Sequence, residues 1–69
     1  MTLHELLPLI PATTPIRIYG EGNPYRPLIE LIYSDTLQRK DNTEMLSRTV
    51  SSIHAAIHNT IPYVIVWLY

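Results

Sequence analysis

His54 and His58, four residues apart in His54-Ala55-Ala56-Ile57-His58, are the first residues here whose types and spacing could do chemistry. On a helix the two imidazoles would share a face and could hold a divalent metal. The metallohydrolase form of that motif needs Glu directly after the first His as general base, and here that position is Ala55. On a strand the pair would share a face but stand about 13 Å apart, too far for one ion. There is no cysteine, and Glu44 is the only further ligand in prospect. Two exposed or interfacial histidines are therefore expected, with no metal site. Gly20-Glu21-Gly22 has the look of a phosphate loop, but such loops need a following helix N-terminus to face the anion. Pro24 and Pro27 follow instead, so a turn is expected. Ser47, Ser51 and Ser52 lie near His54 without the strained elbow that presents a nucleophile. Glu30 and Asp35 are the nearest carboxylate pair, with no sign of a pocket to raise one pKa. A chain this small can hardly enclose a cavity of about 300 Å³. No catalytic residue, no cofactor and no enzymatic activity are expected.

What remains is a surface. The run Ile61-Pro62-Tyr63-Val64-Ile65-Val66-Trp67-Leu68-Tyr69 is apolar, β-branched and aromatic, and reads as a buried strand. Side chains in a strand alternate with period two, so Val64, Val66 and Leu68 share one face. Tyr63, Ile65, Trp67 and Tyr69 share the other. One helix layer covers only one of those faces. The aromatic row Tyr63, Trp67 and Tyr69 is thus the candidate partner-binding site, because aromatics bury much area with few rotors. Completing the chain's own core is the competing role for the same rings. Tyr25 and Arg26, in the turn-rich stretch, make a second patch.

The elements that would position these residues can be read in order. Thr2-Leu3-His4-Glu5 is a capping box, and Leu3, Leu6, Leu7 and Ile10 follow one helical face. Pro8 removes a helical hydrogen bond, so the spacing predicts a short helix over about 3–9, kinked or ended near Pro8. Pro15 to Tyr19 alternates with Ile16 and Ile18 inward, and Leu28 to Tyr33 is the returning strand of a long-looped hairpin. Residues 34–47 are a polar crossover with one short helix between 41 and 47, where Asp41-Asn42-Thr43-Glu44 has the capping-box form. Residues 48–58 are ambiguous: Leu46, Val50, Ile53 and Ile57 fit a helical face, while Thr49 to Ile53 is rich in β-branched residues. A hairpin turning near His58-Asn59 would give the last strand an antiparallel neighbour.

Sixty-nine residues make one domain at most, spanning 1–69. Such a chain buries only about 60% of its unfolded surface. Without cysteine, the remedy left for a thin core is association with itself or a partner. The net charge is −1, with Arg17, Arg26, Arg39, Lys40 and Arg48 scattered, which argues against the basic stripe of a nucleic-acid binder. No segment approaches the roughly 18 apolar residues of a membrane span, and the start lacks a signal-peptide layout. A soluble cytoplasmic protein with no membrane partner is expected.

Thr2 to Leu7, Pro11-Ala12-Thr13-Thr14-Pro15-Ile16-Arg17-Ile18-Tyr19, Arg48-Thr49-Val50-Ser51-Ser52-Ile53 and Val64-Ile65-Val66-Trp67-Leu68 together resemble small uncharacterised prophage proteins of Gram-positive bacteria. The resemblance implies an α+β domain in which Arg48 to Ile53 is a strand. It implies no activity that can be transferred. The expected fold is α+β: a small sheet of about four strands, mostly antiparallel, with the N-terminal helix on the aliphatic face and a short crossover helix. The expected function is that of a phage accessory protein that binds another protein, an inhibitor of a host defence such as CRISPR by analogy. Its partners would be another protein, itself as a homo-oligomer, or both. The alternatives are a self-assembling scaffold and a small nucleic-acid-binding regulator using Arg39, Lys40 and Arg48.

Overall fold

The computed structural model describes residues 1–23, 25–39 and 43–69. It opens with the expected capping box: the Thr2 amide donates to Glu5 Oε1 at 2.9 Å, and the Glu5 amide to Thr2 Oγ1 at 3.2 Å. Those bonds satisfy donors that the first turn of a helix leaves free. The helix, α1 (Leu3–Leu6), lasts one turn and tightens into a 3-10 segment, Leu7–Leu9. Pro8 sits at the start of that segment, where its missing amide is tolerated. Leu3, Leu6 and Leu7 are buried.

Four strands follow: β1 (Pro15–Gly20), β2 (Ile29–Tyr33), β3 (Val50–His58) and β4 (Ile61–Leu68). They form one mixed sheet in the order β2-β1-β4-β3. The β1–β2 and β3–β4 pairs are antiparallel. At the centre β1 and β4 run parallel, with Ile16 opposite Val64, Ile18 opposite Val66 and Tyr19 opposite Trp67. The ambiguous stretch is thus a strand, paired with β4 through a two-residue turn. Asn59 and Thr60 both have positive φ there, 49° and 65°, the mirror-image turn whose twist matches the strands it joins. Between β1 and β2, Gly22 takes φ +89°, a conformation that costs glycine nothing.

Two short helices complete the chain, α2 (Ser34–Gln38) and α3 (Thr43–Leu46). The second is the expected crossover helix; the Asp41-Asn42 part of its proposed cap lies outside the described residues, as does Lys40. The first occupies the helix-compatible stretch that Asp35 opens, where no second helix was expected. It follows β2 without a loop and has no side-chain cap. Its first amides are bonded instead by the turn before β1: Ser34 donates to the Thr14 carbonyl at 3.2 Å and Asp35 to that of Ala12 at 3.1 Å. The buried Ser34 hydroxyl donates to the Leu7 carbonyl at 3.2 Å, which ties α2 to the N-terminal segment. Leu3, Leu6, Leu7, Leu37, Met45 and Leu46 from the helical side close over Ile16, Ile18, Val66 and Leu68 of the sheet. No helix among the described residues is long and apolar enough to cross a membrane. The result is a small α+β fold with a single helical layer.

Candidate functional site

That layer leaves one face of the sheet uncovered among the described residues. The register decides what stands on it. Ile16, Ile18, Val66 and Leu68 are fully buried on the helical side. Their neighbours Arg17, Tyr19, Tyr63, Ile65 and Trp67 therefore point the other way, and all five are half-buried. Direct cross-strand pairing adds Ser52 opposite Trp67, His54 opposite Ile65 and Ala56 opposite Tyr63.

Tyr19 and Trp67, opposite one another on the parallel pair, stack with ring centroids 4.7 Å apart and planes inclined by 19°. Offset stacks of this kind add roughly 0.5–1.5 kcal/mol beyond the area buried. One step along, the Arg17 guanidinium lies 5.5 Å from the centre of the Tyr63 ring and 3.7 Å from the Glu30 carboxylate. Its hydrogen bond with Tyr19 raises the Arg17 pKa further, against a smaller effect of burial. Arg17 Nε is buried and makes no hydrogen bond. The cation is thus fixed by one ring face, a hydrogen bond with Tyr19 and a carboxylate.

The expected row is only partly assembled. Tyr63 and Trp67 stand on the open face as alternation requires. Tyr69 lies beyond the last residue of β4; its amide donates to the Thr49 carbonyl at 3.0 Å, its carbonyl accepts from Arg48 Nε at 2.6 Å, and its side chain is exposed. Tyr25 and Arg26 are exposed on the loop from β1 to β2, and no described ring contact joins Tyr25 to the row. Sequence singled out Glu30 only as a carboxylate neighbour of Asp35, and did not place Arg17 or Tyr19 on this face. Their signal was nonetheless present: once Ile16 and Ile18 point inward, Arg17 and Tyr19 must point outward.

The other chemical candidates resolve as follows. His54 and His58 lie on a strand, about 13 Å apart along it, so the helical metal geometry does not arise. His54 Nε2 lies 3.3 Å from Ser52 Oγ, which brings two triad members together. The nearby carboxylate of Glu21 accepts from Ser51 Oγ at 2.9 Å rather than orienting the imidazole. Arg39 is paired with Asp35 at 3.0 Å, one helical turn away. A groove of about 710 Å³, larger than the chain's size suggests, opens where the β3–β4 hairpin extends past Pro15 and Tyr33. Among the described residues its lining includes Thr13, Ile57, Ile61 and Tyr63 but no carboxylate, imidazole or amine. The open face is thus an aromatic surface with the Arg17 cation at its centre. Compared with protein-family models, curated proteins and solved structures, the chain matches none of them.

Proposed function

We propose that this chain is a non-enzymatic protein-binding module that engages its partner through the open face of the sheet. The observation that carries the reading is the contrast between the two sheet faces. One is closed by leucines from three helices, while the other holds the Tyr19–Trp67 stack beside Arg17 and Tyr63. Tyr, Trp and Arg are the residues enriched where binding energy concentrates, because they desolvate large areas with preset geometry. The resemblance to small prophage proteins supports a host protein as the target. A defence complex inhibited by occupation of one of its surfaces is the form of that reading we adopt.

The test is affinity capture from host-cell lysate by the wild type, by Tyr63→Ser/Trp67→Ser, and by the control Leu9→Ser, each first shown to be folded. Leu9 is an exposed apolar residue on the helical side. A protein captured by the wild type and the control but lost with the double variant supports the reading. Equal capture by all three forms, or none by the wild type, removes it. The regulator alternative has less to stand on, since Arg39 and Arg48 are engaged with Asp35 and the Tyr69 carbonyl.

A further inference from the structure

The two edges of the sheet are not equally protected. β2 is five residues long, is bulged where it opposes Ile16 to Ile18, and carries Glu30. Short length, bulges and charge are the devices that keep an edge strand from pairing with another chain. β3 has nine residues and neither proline nor a carboxylate, ammonium or guanidinium side chain. Its first residue is covered, since the Val50 amide donates to the Met1 carbonyl at 2.8 Å. Its bulge lies at that same end, between Val50 and Ser52. From there to His58 the outer edge is unpaired among the described residues.

Which groups it offers follows from the turn. The pair closing a two-residue hairpin, His58 and Ile61, exchanges both its hydrogen bonds. Alternation then turns Ala56 and His54 inward to β4, and leaves Ile57, Ala55 and Ile53 with amide and carbonyl aimed outward. Pro62 stands opposite Ile57, where β3 has no need of its amide. The sequence about Ala55 is self-complementary. A two-fold axis through it sets Ile53 against the partner's Ile57, His54 against the partner's Ala56 and Ser52 against the partner's His58. No histidine meets a histidine. Ile53 and Ile57, 49% and 74% exposed, would cover each other across the axis.

We infer that Ser52–His58 is a homodimerisation edge, at which a second copy of this chain pairs antiparallel to give a continuous eight-stranded sheet. About six backbone hydrogen bonds form, three donated by each copy. The seven paired residues span about 23 Å, and across a sheet about 10 Å thick this buries roughly 230 Å² per copy. A stable interface needs about 600–800 Å² per partner. The dimer is accordingly weak and reversible, with a Kd on the order of 10–100 μM. Its axis is perpendicular to the sheet, so both aromatic faces point the same way and form a two-site surface. The inference does not depend on what those faces bind.

Sedimentation of the full chain from about 5 μM to 1 mM, with designed charge pairs, tests it. The wild type should pass from monomer to dimer over this range. Ile53→Lys/Ile57→Lys sets lysine against lysine and should remain monomeric, as should Ile53→Glu/Ile57→Glu. Mixed in equal amounts, the two variants should form a heterodimer at least ten-fold tighter than either alone. A wild type monomeric at 1 mM, a lysine variant that dimerises like the wild type, or a mixture no tighter than its parts overturns the inference. Should either charged variant fail to fold, Ala55→Pro removes an amide that the monomer does not use. It should abolish the dimer, and an undiminished dimer overturns the inference equally.

Discussion

Thr60→Gly should stabilise this protein, and the size of the gain follows from its turn. Both turn residues have positive φ, 49° at Asn59 and 65° at Thr60. Asparagine tolerates that region, whereas a β-branched residue there costs roughly 1–2 kcal/mol. Glycine removes the cost but loses about 0.5–1 kcal/mol through its freer unfolded state. The Thr60 hydroxyl also gives up its bond to the Asn59 carbonyl, an exposed interaction that water replaces at little cost. The net expectation is a gain of about 0.5–1 kcal/mol, near 5 °C in Tm for a domain of this size. Urea and thermal melts followed by circular dichroism read it, with an unchanged m-value showing that the native state is unaltered. Thr60→Ala keeps the positive φ and should move stability by less than half as much. The turn also sets the register of β4, and a one-residue slip would turn Trp67 to the helical side. Thr60→Gly as stable as the wild type or less would refute the strained-turn reasoning.

Further expectations concern the helices, the ion pair and pH. Leu37→Ala empties a fully buried site under α2 and should cost about 2–5 kcal/mol; Leu31→Ala, at an exposed position on β2, should cost under about 1 kcal/mol in the same urea melts. Glu30→Gln breaks the Arg17 ion pair, whose carboxylate is mostly exposed, and should change stability by less than about 0.5 kcal/mol. The Thr2 amide and hydroxyl hold the Glu5 pKa below its ordinary 4.5. A depressed carboxylate stabilises the fold above its unfolded pKa and loses that contribution as pH falls through the folded value. The Tm of the wild type should therefore fall more steeply than that of Glu5→Gln as pH drops below about 4.5, with parallel profiles as the contrary result.

Local signals in this chain translated directly into structure. The capping box at Thr2 and Glu5, the stop at Pro8 and the alternation through β1 and β4 each act over a few residues, and each stands as read. The choice between strand and helix for β3 could not be made from spacing, because Val50, Ile53 and Ile57 suit both periods. Pairing with β4 settles it. The helix α2, compatible with the sequence after Asp35, went unpredicted for a different reason. Leu37 is its single buried apolar residue, and its capping carbonyls come from Ala12 and Thr14, some twenty residues upstream. The aromatic face was half legible: Tyr63 and Trp67 follow from alternation within one strand. Arg17 and Tyr19 join them only because β1 lies parallel to β4, a pairing that no local pattern encodes.

Trp67 is the only tryptophan, which makes the open face directly observable. Acrylamide quenching of its fluorescence should be measured on the free chain below 1 μM and again in complex with the protein captured by the wild type. Clear quenching is expected in the free chain and strong protection in the complex. A Trp67 already shielded when free, or equally quenched when bound, would contradict the claim that this face is the one a partner covers.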